Sequence, residues 1–106
     1  MTTLSPIHPG EVLQEEFLSP LEITQYRLSK EIGVPPIRIN DIIHGKRSIT
    51  ADTALRLGKY FQTTPEFWMN LQIHFDLENQ KEMLGEKMDK EVKVYLFPKM
   101  LPALQN

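Results

Sequence analysis

Between Ile37 and His44 the chain sets an apolar side chain, a guanidinium, a primary amide, a carboxylate and an imidazole within about two helical turns: Ile37, Arg38, Asn40, Asp41 and His44. Each type matches a group on the major-groove edge of a base pair. Asn40 can pair with adenine, His44 can donate to guanine, and Asp41 can accept from the cytosine amine. Ile37 can touch a thymine methyl, and Arg38 can take guanine or a phosphate. On a helical wheel at roughly 100° per residue, Ile39, Ile42 and Ile43 share one face. Ile37, Asp41 and His44 fall on the opposite face, with Asn40 and Arg38 on its flanks. The competing use of Arg38 is an i,i+3 ion pair with Asp41, worth only a few tenths of a kcal/mol.

A second set of residues suits a sugar–phosphate backbone. Thr24, Gln25 and Tyr26 open a helix, whose first N–H groups have no partner within the helix and favour an anion. Arg27 lies in the same first turn, and Lys46, Arg47 and Ser48 follow the Ile37–His44 stretch. Contacts of this kind position a protein without specifying sequence. The plainer reading of Lys46 and Arg47 is a solvated loop.

The two sets work together only if residues 24–44 form two short helices joined by a tight turn. The pattern fits: Thr24 caps the first of the pair, Leu28 and Ile32 share its inner face, and Ser29 is small where two helices approach. Gly33 falls at the turn, where positive φ is cheapest for glycine. Pro35 and Pro36 can begin a helix but not sit inside one, and Gly45 stops it as the residue after the cap. The stretch reads as a helix-turn-helix, the frame that places a helix in the major groove. An ordinary helical hairpin that binds nothing is the alternative.

The remaining elements are helical too, which makes the fold all-α. Pro9 suits the first turn of a helix reaching about Leu18, with Val12, Leu13 and Phe17 as its apolar face, and Ser19-Pro20 is expected to end it. Thr50 caps a helix lined by Ala54, Leu57, Gly58 and Phe61, with Ile49 and Ala54 as a hydrophobic staple. Thr64-Pro65 opens a last helix through Phe67, Trp68, Leu71, Phe75 and Leu77 to about Asn79. Trp68 is either core or, with its rim, a partner surface. The domain is expected over residues 1–79 and a C-terminal tail over 80–106. Pro98 and Pro102 forbid a regular helix at the tail's end, and its VYLFPKML run suits a dimer arm, a partner-binding segment or a disordered end, its apolar content favouring burial against something.

Composition bounds the rest. A chain of 106 residues with no cysteine has neither a disulfide framework nor a thiolate metal site. Its net charge of −2 is unevenly spread: −4 over residues 1–23, +4 over 24–60 and −2 over 61–106. The positive block coincides with the expected reader. The acidic flanks weaken non-specific DNA binding and suit a basic protein partner, or are simply solvated helix faces. No apolar run reaches the length of a membrane span and no signal peptide opens the chain, so a cytoplasmic location and no membrane are expected. No phosphate loop is present, and His8, His44 and His74 lie on separate elements without ligand spacing. Neither catalytic residues, nor a metal, nor a cofactor is expected.

Residues 7–79 resemble the HigA-type antitoxins, also called virulence-associated protein I, within the Cro/CI-like (XRE) helix-turn-helix superfamily. The resemblance is carried by His8-Pro9-Gly10-Glu11, by Ile23-Thr24-Gln25-Tyr26-Arg27-Leu28 and by Arg38-Ile39-Asn40-Asp41-Ile42. It continues through HGKRSITADTALRLGKYF at 44–61, PEFWMNLQ at 65–72 and Phe75-Asp76-Leu77. The family often has Gly before the Ile-Thr pair, where this chain has Glu22. The resemblance implies a five-helix λ-repressor-like domain, dimerisation, and a palindromic operator in the protein's own promoter. It further implies a small basic toxin partner of the RelE-like class, an mRNA endonuclease, which the protein would neutralise. Two other readings stand beside it: a repressor without a toxin, and a protein-interaction module with weak DNA binding.

Overall fold

The computed structural model describes residues 6–98, and Pro102 with the end of the expected arm lies outside them. Among the described residues all regular structure is helical. Helix α1 runs unbroken through Pro9–Val12, Leu13–Leu18 and Ser19–Leu21. It is followed by α2 (Gln25–Ile32), α3 (Pro36–Ile43), α4 (Ala51–Phe61), α5 (Pro65–Leu84) and α6 (Lys87–Glu91). The five helices expected from the sequence are thus joined by a short sixth.

Caps decide where the helices start. Thr24 Oγ1 accepts the Arg27 N–H at 3.0 Å, Thr50 Oγ1 that of Thr53 at 3.4 Å, and Thr64 Oγ1 that of Phe67 at 3.1 Å. At α1 the cap is a histidine: His8 Nδ1 accepts the Gly10 N–H at 2.9 Å, with Pro9 in the first turn. Each cap satisfies a donor that the helix itself leaves open.

Two expectations are corrected. Pro20 does not end α1, which continues to Leu21. Residues Leu13–Leu18 form a π-helical stretch, and the Ser19 N–H reaches back to the Gln14 carbonyl. The wider turn spreads the carbonyls that a proline ring would otherwise strike, so the helix tolerates Pro20. The stop comes at Glu22, which takes the left-handed conformation at φ 54°. The last long helix also runs beyond Asn79 to Leu84, across the position at which domain and tail were divided. Apolar periodicity fades there, but Gln80-Lys81-Glu82-Met83-Leu84 are all good helix formers.

The core is built from Leu13, Leu18, Leu28, Ile32, Val34, Ile39, Ile42, Ile49, Ala54, Leu57 and Trp68. Trp68 is fully buried and its Nε1–H donates to Thr63 Oγ1 at 2.8 Å, so it is core, not rim. Phe17 lies 4.8 Å from Phe61 and 5.0 Å from Trp68 between ring centroids, tying α1 to α4 and α5. At Gly58 an added Cβ would meet the Thr63 carbonyl at 3.1 Å and the Pro65 nitrogen at 3.2 Å. Glycine there lets α4 turn tightly into α5. From Lys81 to Pro98 every residue is exposed, so the core ends well before the described chain does.

Candidate nucleic-acid interface

Helix α3 divides as its wheel predicts. Ile39 and Ile42 are fully buried and Ile43 packs against the core. Ile37, Asn40 and His44 are exposed, while Asp41 and Arg38 are half-buried. The α2–α3 turn is set by Gly33 at φ 74°, and Gly45 at φ 74° releases the chain from α3. Ser29 is fully buried and donates through Oγ to the Tyr26 carbonyl at 2.7 Å, which removes its polarity from the helix contact.

Three of these side chains, Asn40, His44 and Arg38, are already partnered, and the partners refine what each can do. Asn40 Nδ2 donates to Gln25 Oε1 at 3.3 Å. This orients the amide and leaves Oδ1 and the second Nδ2 hydrogen for an adenine edge. Gln25, Tyr26, Pro36, Ile37 and Asn40 together line a shallow cleft of about 380 Å³ between the starts of α2 and α3. His44 Nδ1 lies 2.8 Å from the Asn40 carbonyl. A carbonyl only accepts, so Nδ1 carries the hydrogen and Nε2 of the neutral ring is an acceptor. The guanine donation expected of His44 therefore takes the doubly protonated ring, and the neutral ring suits a base amine instead.

Arg38 does not pair with Asp41. Its Nη1 donates across to Asp52 on α4 at 3.0 Å, and its Nε is buried without a partner. Asp52 also accepts from Arg56 Nε at 2.8 Å, and Arg56 Nη1 donates to the carbonyls of Ile32 (2.8 Å) and Gly33 (3.2 Å). One carboxylate thus links α3 to the residue that staples the turn. The Arg56 hydrogen bond, with Arg38 adding to it, holds Asp52 below the usual carboxylate range. The Tyr60 hydroxyl of α4 donates to the Glu31 carboxylate of α2, which also takes Arg27 Nε at 3.2 Å. The Tyr60 bond lowers Glu31 and raises Tyr60.

Thr24 uses the Arg27 N–H, so the first-turn amides of Gln25 and Tyr26 remain for a partner outside the helix. Tyr26 is exposed and its ring lies 5.4 Å beneath Lys30 Nζ. Lys46, Arg47 and Ser48 are exposed, and among the described residues Lys46 and Arg47 form no ion pair. Within the 24–60 block they share this lack of an ion pair with Lys30 and Lys59, and they are the two that follow α3 directly. Among the described residues no group of three His, Cys, Asp or Glu could hold a metal, and no helix is long and apolar enough to cross a membrane.

Three residues behind this face escaped the sequence reading as parts of the site. His8 caps α1, packs edge-on against Phe75 at 4.8 Å, and lies beside Gly45. Gly10 touches the carboxyl end of α3. Gln72, only 4 % exposed, accepts the Ile49 N–H at 2.7 Å. The signal for Gln72 was present: it lies one turn beyond Trp68 on the same helix face, and a polar side chain on a buried stripe needs a buried partner.

A turn-linked helix pair with one polar outer face defines the helix-turn-helix class, and a family model described as helix-turn-helix matches residues 14–68. Virulence-associated protein I of Dichelobacter nodosus is 49 % identical over 72 residues, 68 % of this chain and 67 % of that one. An addiction module antidote protein of the HigA family from Coxiella burnetii superposes with a TM-score of 0.82 at 48 % identity, over 87 % of this chain and 100 % of that one. Pseudomonas aeruginosa antitoxin HigA, solved with the higBA promoter, superposes with a TM-score of 0.82 at 41 % identity, over 86 % and 99 % of the two chains. The chain belongs to the HigA-type antitoxins of the helix-turn-helix class.

Proposed function

We infer that this protein is a DNA-binding antitoxin that represses its own operon. It acts as a homodimer on a palindromic operator, each copy placing α3 in the major groove, in the cytoplasm where the promoter is. Ile37, Arg38, Asn40, Asp41 and His44 face the bases. Thr24, Gln25, Tyr26, Arg27, Lys46, Arg47 and Ser48 hold the phosphates on either side. The observation that carries the reading is the joint placement of Asn40, exposed midway along α3 with its amide oriented by Gln25, and of Lys46 and Arg47, exposed just beyond the carboxyl end of that helix. An amide suited to base reading stands on the outer face of the helix and exposed cations follow it, as a groove flanked by phosphates requires. The relative solved with its promoter supports it. Under the same reading the protein neutralises a small basic toxin of the RelE-like class, an mRNA endonuclease. Its acidic residues 1–23 and 61–106 suit such a partner.

The test pairs two assays in one host. A reporter driven by the protein's own promoter should fall silent when the protein is expressed, and regain activity with Asn40→Ala. Expression of the small basic protein encoded beside it should arrest growth unless this protein is present. Repression without rescue would leave a repressor and remove the antitoxin role; neither effect would overturn the whole reading.

A further inference from the structure

The loop between α3 and α4 carries Lys46, Arg47 and Ser48, all exposed, and its geometry is set at both ends. At the start, the Gly45 and Lys46 N–H groups bond back to Ile42 and Asp41 carbonyls at 3.1 and 2.7 Å. At the far end the Ile49 side chain is buried. An apolar contact resists withdrawal but is non-directional. The group that fixes the orientation of the peptide there is Gln72 of α5. Its Oε1 accepts the Ile49 N–H at 2.7 Å, and its Nε2 donates to Asp76 Oδ1 at 3.0 Å. Among the described residues this is the one hydrogen bond from α5 to the loop backbone. A buried amide that lost its acceptor would be left unsatisfied, so the loop would move to find water.

We propose that Gln72 is a positioning residue for phosphate binding. It holds the peptide after Ser48 in one orientation, so that Lys46, Arg47 and the Ser48 hydroxyl meet the DNA backbone together. Asp76 fixes the orientation of the Gln72 amide, keeping the oxygen toward Ile49 and the nitrogen away. The proposal rests on the DNA-binding reading above, and it concerns affinity, not base choice.

The test uses the full chain in three forms beside the wild type. Gln72→Met keeps the volume and removes the acceptor. Gln72→Glu keeps an acceptor but sets two carboxylates side by side. Gln72→Glu with Asp76→Asn restores a donor–acceptor pair with the chemistry exchanged. Two readouts are taken: hydrogen exchange of the Ile49 amide without DNA, and affinity for the promoter fragment across a salt series. Gln72→Met, which lacks the acceptor, and Gln72→Glu, whose carboxylate is turned away by repulsion from Asp76, should expose the Ile49 amide and lose roughly ten-fold or more in affinity. Their salt slope should drop by about two, since each phosphate contact contributes about 0.9. Preference for the promoter over a scrambled fragment should persist. The exchanged pair should restore protection, affinity and slope. If Gln72→Met fails to fold, the comparison of Gln72→Glu with the exchanged pair decides. An exposed Ile49 amide with unchanged affinity and slope would overturn the proposal, as would failure of the exchanged pair to restore the slope. A wild type that binds no DNA while its Ile49 amide stays protected would instead overturn the DNA-binding reading and, with it, any role of Gln72 in phosphate binding.

Discussion

Gly10 of α1 lies against the carbonyl of Ile42 at the end of α3: a Cβ added there would sit 1.8 Å from that oxygen. No side chain fits this gap, and backbone on both sides leaves nothing flexible to yield. The contact fixes where α3 ends relative to α1. His8 reinforces it, capping α1 and lying beside Gly45. The opening His8-Pro9-Gly10 is therefore a structural device: cap, first-turn proline and contact point for α3.

Gly10→Ala should force α1 and α3 apart. Overpacking of this kind costs about 1–3 kcal/mol, and more where backbone must move. A urea titration should show a lowered midpoint with an unchanged slope. The same variant should bind the promoter more weakly even under conditions where it is fully folded. An unchanged midpoint would mean that the α1–α3 contact is looser in solution.

Asn40→Ala should relax discrimination at a single base-pair position by about 1–3 kcal/mol. Gln25→Ala should weaken the same position by less, because it removes the orienting partner and leaves the reader. Competition with single-substituted operators would measure both. Effects at different positions for the two variants would show that the Asn40–Gln25 bond does not persist on DNA.

Asp52→Asn removes the carboxylate shared by Arg38 and Arg56. Asp52 is exposed in both pairs and solvent screens them, so the loss of stability should stay near or below about 1 kcal/mol. Release of Arg38, with a negative charge removed near the reading helix, should raise affinity for any DNA and steepen the salt dependence by up to about 0.9. Weaker binding would show instead that Asp52 holds Arg38 in its working position.

Burial pushes His8 below its ordinary value, with the nearby Asp76 opposing the shift. The folded state thus favours the neutral ring, which is also the form whose Nδ1 can cap α1. The unfolded chain takes up the proton more readily, so stability should begin to fall as pH drops below about 6.5 and level off below the lowered value of the folded state. His8→Asn keeps a capping acceptor and removes the titration. Between pH 7 and pH 5 its stability should decline less than that of the wild type, and parallel curves would rule out the His8 contribution.

Local features were legible in the sequence because they are decided locally. Thr24, Thr50 and Thr64 cap their helices, Gly33 and Gly45 take positive φ, and the two faces of α3 follow from its period. What escaped depends on chain brought from afar. Arg38 could be given Asp41 as a partner from spacing alone, whereas Asp52 lies 14 residues on and reaches it only through the packing of α4. Gln72 and Ile49 are separated by 23 residues. Pro20 was misread because a π-helical stretch is a response to crowding that no periodicity announces. Glu22 takes the left-handed conformation without a glycine, and the only sign of it at the level of sequence was the glycine that the resembling family often has at that position.

The central claim is that α3 and its flanking cations grip one promoter. Fluorescence anisotropy of the protein with its own promoter fragment and a scrambled control, across a salt series, tests it most directly. The account predicts nanomolar binding to the promoter alone, with a steep salt dependence that Arg47→Ala lowers by about one without changing the preference. Weak and equal binding to both fragments, with a slope indifferent to Arg47, would contradict it.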